Sequence, residues 1–491
     1  MRLARLCTAS LAASARHAPV RSLVSISDSF DGGNIDLVKS SNGSVQIKIR
    51  PDPHTLLEDK EHMQWFAFRA TGGESDGTTK YEIINAADVS FPDAWVGTEV
   101  VASTDRSTWT YAPLHRPPSE PFTTAAALSE RRAIRVSRDT RRVGSTVYDT
   151  SRGVLSWEWK HVAPGVPVYF AYFDLYSYER HLDFVARCAA ARDAPGLMVR
   201  SLGQTLDGRE MDCIDVGTGT QHAWVIHRQH PGESMASFFA EGLLGRLLGL
   251  HAGGGVDPLS QRLLKEFTFH IVPNMNPDGA LRGHLRTNAG GANLNREWSP
   301  STLPSGATYE APTLERSPEV YHVLKAMDAT GVDLFLDVHG DETLPVAFLA
   351  GAEGLDVWEK GPRLRALHGA FVGAYSRANP DMQRPFGYEP GTPANANYCI
   401  GSNQVASRFD CLGVTLEMPF KDCVGVARPA GQTRGFDGMR AAQLGAALLD
   451  ALAYVAPSLR GVDNPVFVRE DDAYVAPVED LAEIAKWAEA R

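Results

Sequence analysis

Residues 223–249 read AWVIHRQHPGESMASFFAEGLLGRLLG. The segment opens as an apolar strand and breaks at Pro231-Gly232. It then resumes with Met235, Phe238, Phe239, Leu243 and Leu247 at helical spacing. Proline suits the first position of a helix, so Glu233 is expected in the first helical turn and His230 at the end of the strand. A strand followed directly by an amphipathic helix is the repeating unit of an α/β domain. The His-x-x-Glu spacing does not by itself mark a metal pair, because it recurs at His339 and Glu342. Context has to separate the two.

Three further apolar runs supply that context. FTFHIVPNMNPDG (267–279), LFLDVH (334–339) and GVTLE (413–417) each read as a strand that stops on a polar, chemically competent residue. In open parallel sheets, ligands bind beyond the carboxyl ends of the strands, so these endings are expected to meet in space. His230 and Glu233 then face one point and His339 supplies a third ligand. Three protein ligands with a position left for water is the pattern of catalytic zinc, and two imidazoles with a carboxylate suit that ion. A lone histidine is more often a core residue; the place of His339 at a strand end in DVHGDE argues for ligation. His227 lies an odd number of residues from His230 and is assigned to the core.

Other polar groups fit the same chemistry. Arg286 in GHLRTNAGG and the pair Asn295-Arg296 in ANLNREW lie in glycine-rich stretches that read as loops. A guanidinium forks onto a carboxylate with two parallel hydrogen bonds, which suits them to a substrate carboxylate or carbonyl. Surface ion pairing is the plainer alternative for any arginine. Glu417, ending a buried strand, is either a paired structural carboxylate or a general base beside the metal; zinc brings the pKa of water down to about 7.

Residues 25–165 differ in rhythm. SVQIKIR, QWFAFRATG, KYEIINAA, STWTYAP and LSWEWKHV alternate apolar and polar residues between Gly, Pro, Asp and Ser clusters, the pattern of an all-β sandwich. The fold expected is therefore a β-sandwich over 25–165, followed over 166–456 by a mixed, largely parallel sheet flanked by helices. An acidic tail over 457–491 is expected to pack as an appendage.

Composition bounds the rest. The chain has 491 residues, 43% hydrophobic and 22% charged, with a formal charge of −11 and no basic stripe of the kind a nucleic-acid binder needs. No apolar run approaches the roughly 20 residues of a membrane helix. The six cysteines, at 7, 188, 213, 399, 411 and 423, form no Cys-x-x-Cys pair, and a reducing compartment is the default. Residues 1–24 carry four arginines and no acidic residue, which reads as a transit peptide to a mitochondrion or other organelle. Its removal moves the charge from −11 to −15. A secretory signal built on LAASA, or an uncleaved tail on a cytoplasmic protein, are the rival readings.

Taken in order, VYFAYFDLYSY, HPGE, PNMNPDG, RTNAGGANLNREW, DVHGDE and FDCLGVTLEMPF resemble the M14 zinc metallocarboxypeptidases, specifically the cytosolic carboxypeptidase subfamily in its bacterial form. The resemblance runs over nearly the whole chain after residue 24. It implies one zinc ion on His230, Glu233 and His339, with Glu417 as general acid and base. It further implies Arg286 on the scissile carbonyl, and Asn295 with Arg296 on the C-terminal carboxylate of a peptide or protein tail. Many relatives have Asp where this chain has Asn293, whose amide oxygen can still accept a zinc-bound imidazole's N–H. Tyr398 is the nearest counterpart of a mobile substrate tyrosine. Arg408, if it points inward, would favour a C-terminal glutamate. A deacylase or amidase on the same scaffold, and a binding module without turnover, are the alternatives; the β domain is expected to pack on the catalytic domain and shape the pocket rim.

Overall fold

The computed structural model describes residues 23–41, 43–55, 60–72, 77–107, 109–111, 141–143, 146–161, 165–191, 194–250, 254–302, 308–423 and 435–489. All but two residues of the proposed transit peptide lie outside them.

Eleven strands make the amino-terminal unit: β1 (Ser25–Ser27), β2 (Asp36–Ser41), β3 (Ser44–Lys48), β4 (Ala67–Thr71), β5 (Thr78–Ile83), β6 (Val101–Ser103), β7 (Thr110–Tyr111), β8 (Arg141–Val143), β9 (Thr146–Asp149), β10 (Val154–Lys160) and β11 (Val168–Ala171). They form a five-stranded sheet ordered β1-β4-β11-β6-β7 and a six-stranded sheet ordered β2-β3-β5-β10-β9-β8. The inward residues of the alternating strands are aromatic and interlock between the sheets. Tyr81 of β5 meets Phe170 of β11 at 4.8 Å, and Trp157 of β10 meets the same ring edge-on at 5.5 Å. Rings at such offsets add to the energy of area burial alone. One expected boundary moves: β11 lies between β4 and β6. The β unit therefore extends past residue 165 to at least 171, because the aromatic run read as a junction supplies a central strand.

The second unit is built on β12 (Met198–Gln204), β13 (Glu210–Gly217), β14 (Gln221–His227), β15 (Phe267–Val272), β18 (Leu334–Asp341), β19 (Phe348–Ala350) and β20 (Leu412–Pro419), with β16 (Ser301–Thr302) and β17 (Thr308–Tyr309) as a separate ribbon. The sheet order is β12-β13-β15-β14-β18-β20-β19. The inner pairs β15-β14, β14-β18 and β18-β20 are parallel, and the outer pairs are antiparallel. All eight residues of β20 and seven of eight in β18 are buried, which explains why they read as apolar runs without alternation.

From β14 the chain steps to β15 on one side, then returns to β18 on the other. The crevice between the carboxyl ends of β14 and β18 is thus a topological switch point, where α/β sheets bind ligands. The helix Met235–Leu247 packs on the helix Gly438–Val455 at unusually close range. A Cβ at Gly242 would stand 1.8 Å from the carbonyl oxygen of Ala442, and one at Gly445 would stand 2.1 Å from that of Phe239.

The tail after 457 is fastened rather than loose. Arg377 pairs with Asp472 at 3.1 Å, Tyr454 donates to the same carboxylate at 2.6 Å, and Ile484 is buried beside Leu344, Val346, Phe348 and Phe386. No helix among the described residues is long and apolar enough to cross a membrane. The five described cysteines are free and buried.

Candidate metal and catalytic site

The strand β14 ends at His227, and Arg228 follows with a left-handed φ of 60°. An L-residue pays for that conformation unless its surroundings hold it. Here the buried guanidinium donates to the carbonyls of Pro231 and Tyr176, each at 2.9 Å, and so grips the turn that carries His230 and Glu233.

Glu233 sits at the centre of the cluster. Its Oε1 is 2.7 Å from Nδ1 of His230, and its Oε2 is 2.9 Å from Nδ1 of His339. The two Nδ1 atoms are 3.1 Å apart. One donor atom from each of the three residues lies within 4.8 Å of the others, and all three residues are buried. The outer ring nitrogens are occupied: Nε2 of His230 contacts Oδ1 of Asn293 at 3.1 Å, and Nε2 of His339 contacts Oδ2 of Asp337 at 2.8 Å. With a metal bound, each outer contact would take the ring N–H and leave Nδ1 as the ligand atom.

Electrostatics act in opposite directions on the two imidazoles. Burial opposes protonation of His339, but the carboxylates of Asp337 and Glu233 outweigh it and hold the imidazole well above its ordinary value. For His230, burial and then the charge of Arg286 hold the ring down to about 3. Burial alone would raise the Glu233 carboxyl, yet the two histidines hold it well below the usual carboxylate range. Two inward imidazole nitrogens and an ionised carboxylate are the donor set of a catalytic zinc, and the residues present fit that ion.

The repeated His-x-x-Glu is now resolved. In the first copy both residues are ligands; in the second only His339 is. Glu342 is buried outside the cluster, its carboxyl pushed well above the usual range by burial and by the charges of Glu233 and Asp341, against the pull of Arg286. His227, assigned to the core, is fully buried, bonds Val272 O at 2.9 Å, and is held down to about 4 by burial.

Glu417 lies in β20, in register with His339 of β18. Its Oε2 is buried without a hydrogen-bond partner among the described residues. Burial pushes this carboxyl well above the usual range; His339 opposes, while Glu233, Asp341 and Glu342 add to the rise. Arg286 is half-buried and close enough to act on both His230 and Glu342. Asn295 accepts the backbone N–H of Gly401 at 2.8 Å through Oδ1, and its Nδ2 lies 3.4 Å from Nε2 of His339. The Arg296 guanidinium donates to the Asn295 carbonyl at 2.8 Å.

Arg408 is not brought to this site. Its guanidinium forks onto Asp328 with two contacts of 2.8 Å on the exposed side of the helix Gly401–Phe409. The expectation that it points inward fails because the buried face of that helix is Ser402, Val405 and Ala406. Tyr398 is half-buried against the main core. The hydroxyl that reaches the carboxylates is instead that of Tyr388, which donates to Asp341 at 2.9 Å and feels the charge of Glu417.

Two orienting groups escaped the sequence reading. Asp337 lies two residues before His339 on one strand, so strand alternation puts both on one face and was the available signal. Gln229 bridges Asp337 to the indole N–H of Trp298, which donates at 2.9 Å to the Gln229 Oε1. No local pattern points to that bridge.

Comparison with known proteins agrees with this geometry. Residues 26–137 match the family model described as the cytosolic carboxypeptidase N-terminal domain, and residues 187–432 match that described as zinc carboxypeptidase. An uncharacterised protein of Zymomonas mobilis is 38% identical over 81% of this chain and 88% of its own. Cytosolic carboxypeptidase 6 of Caenorhabditis elegans is 25% identical over 69% and 67%. Among solved structures, a metallo-carboxypeptidase from Burkholderia cenocepacia is 36% identical with a TM-score of 0.70, covering 88% of this chain and 98% of that one. A metallo-carboxypeptidase from Pseudomonas aeruginosa, in complex with (2-guanidinoethylmercapto)succinic acid, is 34% identical with a TM-score of 0.72, covering 89% and 100%.

Proposed function

Because the chain belongs to the zinc carboxypeptidase family and carries the amino-terminal domain of its cytosolic branch, we propose that it hydrolyses the last peptide bond of peptides or protein tails through Glu417, Arg286, Asn295 and Arg296. The observation that carries the reading is the buried Oε2 of Glu417, without a partner among the described residues, in the strand register of His339. When bound, zinc acts as a Lewis acid and makes water a nucleophile near neutral pH.

The chain's own groups do the rest. Asn295 Nδ2 and the Arg296 guanidinium hold the C-terminal carboxylate, which aligns the last peptide bond. Arg286 donates to the carbonyl oxygen as it gains charge, the kind of interaction that lowers a barrier because it strengthens in the transition state. Glu417 takes a proton from the attacking water and returns it to the leaving amine. Water is consumed, the C–N bond breaks, and a shortened chain and a free amino acid leave.

Removal of glutamate in particular loses its expected anchor, because Arg408 is held by Asp328. Turnover of peptides ending in Glu, Lys, Phe and Ala, beside N-acyl amino acids and with chelator controls, tests the whole reading. Chelator-sensitive release of C-terminal residues supports it; cleavage of the acyl compounds alone makes the protein a deacylase or amidase. Delivery to an organelle is proposed from the arginines of residues 1–24, and the amino terminus of the mature protein, read directly, decides it.

A further inference from the structure

Asp52 belongs to the β unit, yet its buried carboxylate ends in the catalytic domain. Oδ1 accepts the backbone N–H of Leu285 at 2.7 Å, and Oδ2 accepts those of Arg286 at 2.8 Å and Thr287 at 2.9 Å and the Thr287 hydroxyl at 3.0 Å. Residues 283–293 form neither helix nor strand, so no ladder bonds of their own fix the Arg286 backbone. Buried N–H groups need partners, and here one carboxylate satisfies three in succession. Consecutive N–H groups facing one point make an anion-binding nest, and the protein's own carboxylate fills this one.

The grip extends on either side. Gly32 N donates to Leu281 O at 2.8 Å, and the Asp52 N–H is itself held by His62 O at 2.8 Å. Beyond Arg286, Gly291 has φ +83°, and a Cβ there would stand 2.2 Å from the His54 carbonyl oxygen. The β unit therefore touches the segment 281–291 before, at and after the arginine.

We propose that Asp52 is a positioning residue: it sets the backbone from which Arg286 reaches the scissile carbonyl, which makes the β unit part of the catalytic apparatus rather than an appended module. This rests on the assignment of Arg286 made above. A donor displaced by about 1 Å can cost up to about 100-fold in rate, and the loss should fall on kcat because the interaction matures in the transition state.

The test is a double-mutant cycle in the full chain, with kcat, KM and zinc content read for Asp52→Asn, Arg286→Ala and the pair. Asp52→Asn is expected to lower kcat/KM about 10- to 100-fold, chiefly in kcat, with zinc content unchanged. In the Arg286→Ala background the same substitution is expected to cost less than about 2-fold, because its target is gone. An equal loss in both backgrounds means a merely structural role and overturns the proposal, as does a wild-type kcat for Asp52→Asn. If Asp52→Asn is not recovered folded, Thr287→Val removes one of the four bonds and keeps the carboxylate. It should show a smaller loss that also vanishes with Arg286→Ala, and a loss that persists there overturns the proposal. Arg286→Ala at full activity rejects the assignment of Arg286 and this inference with it; Arg286→Ala impaired beside an unaffected Asp52→Asn rejects the positioning alone.

Discussion

Glu417 stands beside His339 because β18 and β20 run parallel in register over eight residue pairs, from Leu334–Leu412 to Asp341–Pro419. The Glu417 carboxylate is thereby fixed by sheet geometry and owes nothing to a mobile loop. Both strands are nearly continuous buried runs, so a one-residue slip would reverse which side chains face the crevice.

Glu417→Gln keeps the shape of the side chain and removes its ability to take a proton. We expect zinc content to stay at the wild-type level while kcat falls by about 10²–10⁴-fold, the range for loss of general acid-base help. Metal analysis alongside steady-state kinetics on one peptide reads both numbers. Wild-type turnover would remove Glu417 from the mechanism.

Asp337 and Asn293 orient the two imidazoles from behind, one as a carboxylate and one as an amide. Losing such an outer partner commonly costs 10- to 100-fold in metal affinity, so Asp337→Asn should weaken zinc binding by about that factor. Asn293→Asp should act in the opposite direction, because an ionised acceptor raises imidazole basicity more than an amide does. Chelator competition on the apoprotein measures both, and equal zinc affinities across the three proteins would refute the orienting role.

The three metal ligands were legible because strand ends in an α/β sheet converge, and that rule needs only the sequence order of apolar runs. Asp337 escaped that reading, although the same alternation that set His227 aside puts it on the face of His339. Asp52 was not legible: it lies 234 positions from Arg286 along the chain, and an aspartate between two prolines carries no local sign of its partner. Arg408 failed for a related reason. Its place between Tyr398 and Glu417 in sequence suggested the pocket, but its side of the helix is set by Val405 and Ala406, whose burial aims it outward at Asp328.

Arg408→Ala follows from that placement. Both partners of the pair are well exposed, and exposed pairs contribute about 0–1 kcal/mol. The substitution should leave the ranking of Glu-, Lys-, Phe- and Ala-ended peptides unchanged and shift stability by no more than about 1 kcal/mol. A selective fall in turnover of the Glu-ended peptide would return Arg408 to the pocket.

Glu319 gives the fold a pH dependence of definite sign. It is fully buried against the loop that carries Asn288, whose amide donates to its Oε2 at 3.1 Å while its Oε1 has no partner among the described residues. Burial raises the carboxyl from 4.5 to about 8, with Asp278 and Glu297 adding to the rise against the hydrogen bond from Asn288. The folded state therefore holds this proton more tightly than the unfolded chain. Stability is lost as pH climbs from the unfolded value near 4.5 towards about 8, and the loss is constant above that. Glu319→Gln cannot titrate, so its melting temperature should gain on the wild type progressively between about pH 5 and pH 8 and run parallel to it at higher pH. Thermal melts of both proteins across that range decide the matter: a constant difference from pH 5 upward would mean that Glu319 is ionised throughout, and that its pocket holds a counter-charge.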